Sequence, residues 1–336
     1  MKYIETESTN PNYNLAFEEY VLEHRTDDDY LMLWQNDNSI IIGRNQNTYA
    51  EINSDAVAKY HVNVVRRGTG GGAVYHDLGN LNYSFITREE NSEKIAFEKF
   101  VHPIVMALRK LGLNAETSGR NDIMIDGCKV SGVAQRYFNG RVLHHGTLLY
   151  NENLDMANEV LHVDPDKIKA KGVKSVRSRI GNIRELLMKL YEGDEYSEDV
   201  SDFWEYLKDE LMTGGASSVG GIENSMGVKI NEDTSGMKVD HLTADELAEV
   251  EKLKLEKYDT WEWNYGRSLE ADIIRKAHFP QGWVEARIKL DHGRIEDIRF
   301  YGDFMTPKDL TGLEKQLIGK EYREAEIDSL LETISK

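Results

Sequence analysis

Two dipeptides constrain this chain more than any other feature: Asp126-Gly127 and Asn139-Gly140, each set between runs of apolar residues. A two-residue turn of the mirror-image type needs positive φ at both central positions. Asp-Gly and Asn-Gly supply it at least cost. Residues 123–125 are therefore expected to turn into 129–134, and 137–138 into 142–150, laying consecutive strands antiparallel. The chain also lacks the steady strand–helix–strand rhythm of a doubly wound parallel sheet.

The rest of the chain fills in around this meander. Residues 13–24 place Leu15, Phe17, Tyr20, Val21 and Leu22 mostly on one side of a helix. The apolar runs 30–34 and 39–42, with Asn36, Asp37 and Asn38 between them, read as a further β-hairpin. A short helix over 54–61 leads to a strand over 62–66, and 80–87 alternates like a strand. Ser92 is expected to cap a long amphipathic helix that Gly112 ends. From about residue 153 the pattern is mostly helical. Residues 213–237, rich in Gly and Ser, read as a loop or insertion. A helix over 243–257 precedes Trp261-Glu262-Trp263-Asn264-Tyr265-Gly266. Two strands joined at Asp291-His292-Gly293 and two helices finish the chain.

The expected fold class is α/β of the α+β kind, a mixed or antiparallel sheet with flanking helices. Its 336 residues suit about two domains. The division expected is a large part over 1–245, a linker helix over 246–257 and a small α+β part over 258–336.

Charge and cysteine content narrow the function. A net charge of −18 disfavours nucleic acid as a partner. No apolar stretch approaches the ~18 residues of a membrane span, and residues 1–7 lack the apolar core of a signal peptide. A single cysteine leaves no internal disulfide and no multi-cysteine metal site, so a reducing cytoplasm is the expected location. The positive charges cluster at Arg66-Arg67, at 167–174, and at Arg177 and Arg179. Such clusters suit a small anion, although each residue singly also suits plain solvation.

The segment 66–80 is the most informative. Three successive glycines, Gly70, Gly71 and Gly72, leave backbone open to a ligand. Arg66 and Arg67 add donors for carboxylate or phosphate, and His76-Asp77 follow. The glycines alone equally suit a turn between strands. No P-loop is present. Gly68-x-Gly70-x-x-Ala73 matches a dinucleotide fingerprint formally, but an extended segment follows it where a helix is required. Lys129 sits just past the Asp126-Gly127 turn on an expected interior strand, where an ammonium is costly unless it meets an anion. Asp122 is placed to balance it, or serves only as a turn residue. Cys128 and Lys129 are strand neighbours pointing to opposite faces, which argues against a thiol assisted by that lysine. His144 and His145 diverge likewise and read as packed or hydrogen-bonded side chains.

Together these segments resemble the single-chain bacterial lipoate–protein ligases. The matching stretches are YNLAFEE at 13–19, RRGTGGGAVYHDLGN at 66–80, SGRNDIMIDGCKVSG at 118–132, HHGTLL at 144–149, KGVKSVRSRIGN at 171–182 and WEWNYG at 261–266. The resemblance implies a biotin/lipoate ligase-like catalytic domain with a small C-terminal accessory domain. It implies an enzyme that uses ATP, with Mg²⁺, to convert lipoate to lipoyl-AMP. The lipoyl group then passes to one lysine of an acceptor domain, in E2 subunits of 2-oxoacid dehydrogenases or the glycine cleavage H protein. It also suggests a monomer.

By matched position, Lys129 is implied as the catalytic residue, contacting the lipoyl carbonyl and the phosphate. Arg67, Gly72, Ala73, Val74, Tyr75, Asn80, Asn121 and Asp122 are implied on the ATP and adenylate side. Leu15, Phe17, Glu18, Trp34, Gly71 and His76, with Arg67 and Lys129, are implied around lipoate. Lys171, Gly172, Val173, Ser175, Val176 and Arg177 are implied as an adenylate-binding loop. Two rivals stand beside this reading. A carrier-dependent octanoyl or lipoyl transferase would need an acceptor-side cysteine, and none lies in 144–182. A non-catalytic lipoate-binding protein would have little use for Lys129. Lipoate and octanoate both suit an apolar tunnel.

Overall fold

The computed structural model describes residues 1–89, 97–118, 122–162, 180–191, 199–213, 237–266, 271–279, 282–304 and 310–335. The first elements are β1 (Lys2–Glu5), α1 (Pro11–His24), β2 (Tyr30–Trp34), β3 (Ser39–Ile42), α2 (Thr48–Glu51), α3 (Ser54–Tyr60), β4 (Asn63–Arg66), β5 (Val74–His76) and β6 (Asn80–Arg88). Then come α4 (Phe97–Lys110), β7 (Ala115–Ser118), β8 (Asp122–Ile125), β9 (Cys128–Phe138), β10 (Arg141–Leu149), α5 (Leu154–Val160), α6 (Ile183–Leu190) and α7 (Val200–Met212). β11 (Lys238–Val239) and α8 (Ala244–Leu253) lead to a π-helical turn (Lys254–Tyr258) and α9 (Trp261–Asn264). The chain closes with β12 (Ile273–Phe279), β13 (Gly282–Asp291), β14 (Arg294–Gly302), α10 (Leu310–Leu317) and α11 (Glu324–Ser335).

Both glycine turns form as expected. Asp126 and Gly127 take φ of 48° and 81°, and Asn139 and Gly140 take 45° and 78°. They join β8, β9 and β10 into an antiparallel meander. That meander is one side of an eight-stranded mixed sheet, ordered β11-β1-β2-β6-β10-β9-β8-β7 among the described residues. β2 shows why its strands read as unbroken apolar runs. Leu31 and Leu33 enter a core with α4, α6 and α7, while Tyr30, Met32 and Trp34 enter a second core with α1 and α8. Both faces are covered, so alternation in polarity is not required.

The expected hairpin over 30–34 and 39–42 does not exist. β2 pairs with β1 and β6, whereas β3 joins β4 and β5 in a separate three-stranded sheet. The connection explains this. Asn36 is fully buried and its amide is engaged by Asn14 and His76. The Asp37 N–H donates to the Thr9 carbonyl at 2.9 Å. These tertiary bonds hold the linking residues away from a two-residue turn. The Ser92 cap lies outside the described residues, and α4 is described from Phe97. Residues 214–236 also lie outside them. The last part of the chain has β12 as a third strand, not expected from the sequence, beside the expected β13 and β14. With α10 and α11 these strands enclose their own core around Val284, Ile298, Phe300 and Leu331.

Candidate active site

The site begins with a polar row on a buried strand face. On β6, Leu81, Tyr83 and Phe85 enter one core, and Asn80, Asn82 and Ser84, equally buried, face the other way. Buried polar groups require partners, and α1 and β10 supply them. Trp34 Nε1 donates to Ser84 Oγ at 2.9 Å, and Ser84 Oγ donates to Glu18 Oε1 at 2.6 Å. His145 Nδ1 lies 2.9 Å from the same Glu18 oxygen, and Nε2 lies 2.8 Å from Thr69 Oγ1. With the Glu18 carboxylate accepting, His145 carries its proton on Nδ1 and the Thr69 hydroxyl donates to Nε2. Arg67 Nε donates to Thr69 Oγ1 at 2.9 Å. A continuous chain of oriented bonds thus runs from Trp34 to Arg67.

Arg67 is the central cation. Its other donors reach the carbonyls of Ile41 at 3.0 Å, Gly70 at 2.6 Å and Gly72 at 2.8 Å. It is buried, and none of these hydrogen bonds goes to a carboxylate. Burial pushes its pKa down to about 10, only partly opposed by the charge of Glu18. The glycine loop is held from behind as well. A β-carbon at Gly43 would sit 2.0 Å from the Gly71 carbonyl oxygen, and Gly71 takes φ of 90°. Two strands of backbone meet here as only glycine permits.

These elements enclose a cavity of about 200 Å³. Of the residues singled out from the sequence, Leu15, Trp34, Arg67, Gly71, Gly72, Ala73, Val74, His76 and Lys129 line it. Phe17, Glu18, Tyr75 and Asn80 do not line it. Phe17 packs in the second core, two residues from the lining Leu15 on α1 and so not beside it. Tyr75, between the lining residues Val74 and His76 on β5, points to the other face and packs with Ile40 and Val64. Glu18 and Asn80 stand behind His145 and Asn82. Asn121 and the segment holding Lys171, Gly172, Val173, Ser175, Val176 and Arg177 lie outside the described residues. The cavity wall also includes Asn82, Gly132, His145 and Thr147, which sequence reasoning missed. Alternation could have found them: polar residues at 80, 82 and 84, and at 145 and 147, share a face of otherwise apolar strands. His144, on the opposite face, stacks on Phe100 with ring centroids 4.9 Å apart.

Lys129 sits at the cavity mouth and not in the interior. Its side chain is 36% exposed and pairs with Asp122 at 2.6 Å. The Gly181 N–H donates to the Lys129 carbonyl at 3.1 Å, so the chain returns from residues 163–179 directly beside this lysine. Asn182 then clamps Glu152 by two bonds, at 2.9 and 3.0 Å. Glu152 itself is buried, and burial, with Asp77 adding, holds its carboxyl well above the usual range. The raised pKa therefore costs stability that is absent below the unfolded pKa, grows as pH rises from the unfolded pKa to the folded one, and is constant above it. A Glu152→Gln variant is expected to match the parent in denaturant midpoint at pH 4 and exceed it at pH 8, on the order of 1 kcal/mol. Equal midpoints at both pH values would remove this assignment.

Arg66 corrects a sequence expectation. It does not face the anion site beside Arg67. It is fully buried on the other side, donating to the carbonyls of Gly43 at 2.9 Å, Gln46 at 2.7 Å and Trp263 at 2.9 Å, and to Thr48 Oγ1 at 2.7 Å. Its own N–H donates to Asn264 Oδ1 at 2.9 Å, and Trp263 Nε1 donates to its carbonyl at 2.8 Å. Adjacent strand residues point apart. Cys128 is likewise turned away from the cavity wall that Lys129 joins, toward Gly181. Cys128→Ser is expected to keep full activity. A loss of tenfold or more would return a thiol mechanism to consideration.

Residues 10–209 match the lipoyl protein ligase A/B catalytic domain family, and residues 268–336 match the bacterial lipoate protein ligase C-terminus family. The lipoate-protein ligase LplJ of Bacillus subtilis is 38% identical, covering 100% of this chain and 95% of that protein. Lipoate–protein ligase 1 of Staphylococcus aureus is 39% identical over 95% of this chain and 90% of its own. Among solved structures, P. falciparum LipL1 in complex with lipoate superposes with a TM-score of 0.75 at 25% identity, covering 98% and 93% of the two chains. A lipoate-protein ligase A bound with ATP gives 0.61 at 26% identity, covering 80% and 99%. With its catalytic and C-terminal regions both matched, and relatives similar along its whole length, this chain belongs to the lipoate–protein ligase family.

Proposed function

We propose that this enzyme ligates lipoate to acceptor proteins in two steps through one cavity. In the first, a lipoate carboxylate oxygen attacks the α-phosphorus of ATP and pyrophosphate leaves. In the second, an acceptor lysine amine attacks the mixed-anhydride carbonyl, a C–N bond forms, the amine loses a proton, and AMP departs. The observation that carries this reading is Arg67: a buried cation hydrogen-bonded to no carboxylate, on the wall of a cavity with apolar lining from Leu15, Trp34, Ile41 and Val133. A buried charge calls for a counter-ion, and an apolar chain ending in a carboxylate supplies both partners.

Arg67 and Lys129 offset the repulsion between two anions brought into contact, and the cavity supplies proximity. No protein nucleophile is required. Mg²⁺ accompanies ATP as part of the substrate. The Lys171–Arg177 stretch serves as the adenylate-binding loop. The acceptors are E2 lipoyl domains and the glycine cleavage H protein. One structural relative is a bi-partite ligase of Thermoplasma acidophilum studied with its E2 lipoyl domain, 28% identical with a TM-score of 0.63 over 81% and 98% of the chains. The protein acts as a cytoplasmic monomer, with 1–245 catalytic, 246–257 a linker and 258–336 accessory. No helix among the described residues is long and apolar enough to cross a membrane.

The test is ATP–pyrophosphate exchange with lipoate, octanoate and biotin offered separately and no acceptor present. Exchange that depends on lipoate is expected. Absence of exchange with every acid would sink the adenylation step and favour a carrier-dependent transferase or a binding protein.

A further inference from the structure

The cavity wall carries one amide whose bonds are incomplete. Asn82 lines it and is 2% exposed, and its Nδ2 has no hydrogen-bond partner among the described residues. Its Oδ1 is taken by Asn80, whose Nδ2 donates to it at 3.2 Å. Flipping both amides would preserve that bond and leave the Asn82 oxygen as the free atom instead. An anion beside Asn82 selects the first arrangement, because the second sets an acceptor against negative charge.

The sheet fixes where this amide lies. Asn82 stands opposite Thr147 in the pairing of β6 with β10. The Gly132 N–H of β9 donates to Thr147 Oγ1 at 3.3 Å, and a β-carbon at Gly132 would sit 3.3 Å from Lys129 Nζ. A transverse row thus crosses three strands, with the Lys129 ammonium at its outer end and the Asn82 amide at its buried end. The neighbouring row is Ser84, His145 and Ala134, and Arg67 is tied to it through Thr69, which meets His145 Nε2. Positions two residues apart along a strand are separated by roughly 7 Å. A carboxylate seated at Arg67 therefore meets its reacting partner, the α-phosphate, over the row of Lys129 and Asn82.

We propose that the Asn82 side-chain amide is a further catalytic group, whose Nδ2–H donates to a non-bridging oxygen of the α-phosphate while the carboxylate attacks and pyrophosphate leaves. Lys129 offsets the phosphate charge from the mouth. Asn82 holds the phosphate from the buried end and adds no charge of its own. A donor already in place when charge builds on those oxygens needs no rearrangement at the moment of reaction, and its effect is larger where water is excluded. The amide forms no covalent bond and moves no proton.

The inference rests on the adenylation reading, and the experiment separates the two. Lipoate-dependent pyrophosphate exchange would be run with ATP and with each diastereomer of its α-thio analogue, in which sulfur, a weaker acceptor, replaces one non-bridging oxygen. With one diastereomer the wild-type protein is expected to lose at least about tenfold in rate relative to ATP. Asn82→Leu, which keeps the volume and removes the donor, should lower exchange with ATP about a hundredfold. It should leave lipoate binding without ATP, read by calorimetry, within about threefold, and shrink that sulfur effect to below about threefold. Asn82→Asp, which keeps the shape without an N–H, should show the same loss of exchange. Equal rates with ATP and both analogues in the wild type overturn the inference without touching the ligase reading, and this needs no variant to fold. A folded Asn82→Leu protein that keeps its exchange overturns it too. So does one that loses exchange while both sulfur effects stand, since that outcome leaves Asn82 a structural role only. If the wild type supports no exchange with ATP, the adenylation reading itself fails.

Discussion

Replacing Lys129 with alanine is expected to lower lipoate-dependent pyrophosphate exchange by at least about a hundredfold while leaving the melting temperature close to the parent's. Groups that stabilise charge developing in a transition state contribute about this much when lost. The small effect on stability follows from the site: Lys129 is 36% exposed, and so is only partly shielded from solvent in its ion pair to Asp122. The two readouts belong together. Lost exchange with unchanged melting places the lysine in the chemistry. Lost exchange with lowered melting would indicate only a damaged mouth. Full turnover in a Lys129→Ala protein would end the mechanism proposed above. Lipoate binding measured without ATP should weaken far less than exchange, because Arg67 and the apolar wall remain.

Replacing Arg66 with leucine should cause the largest loss of stability. The guanidinium is fully buried, and its removal takes a donor from the carbonyls of Gln46 and Trp263, while those of Gly43 and Asn264 keep only the Gln46 N–H and the Thr48 hydroxyl. Orphaned buried acceptors cost about 1–3 kcal/mol each before relaxation, so a loss of at least about 3 kcal/mol is expected. Chemical denaturation would read it. Arg66→Lys should recover only part, because an ammonium has three donors and cannot span the fork that Arg66 fills. The loss should also reach the site. Arg66 joins α9 to the end of β4, directly before Arg67, and Lys257 and Tyr258, just before α9, are bound to Glu19 beside Glu18. Burial would raise the Glu19 pKa, but Lys257 and Arg136 outweigh it and hold it at about 2. A midpoint unchanged by Arg66→Leu would show that 261–266 is not clamped to the site.

The meander, the helix over 11–24 and the final β13–β14 hairpin were legible because their signals are local. Each glycine turn needs positive φ at two adjacent positions, and a helix writes its period into a dozen residues. The family was legible because several motifs recur in order. The pairing of β2 and β3 was not, because runs buried on both faces carry no alternation, and Asn36 between them answers to His76 and Asn14 across the fold. Arg66 and Arg67 looked alike in sequence. Strand geometry sends one to carbonyls of a segment some 200 residues later and the other to the glycine loop.

The sequence alone determined the strands joined by tight turns, the glycine-rich segment after Arg67, Lys129 past its turn, and membership of the ligase family, since all of these rest on residue type and short-range geometry. The tertiary structure alone decided which side chains share the cavity. His145 reached Glu18 and Thr69, Tyr75 was turned away, and His76 met Asn36 from a distant loop. Hydrogen-bond direction inside a core is set by every neighbour at once, and those neighbours are chosen by packing, not by order along the chain.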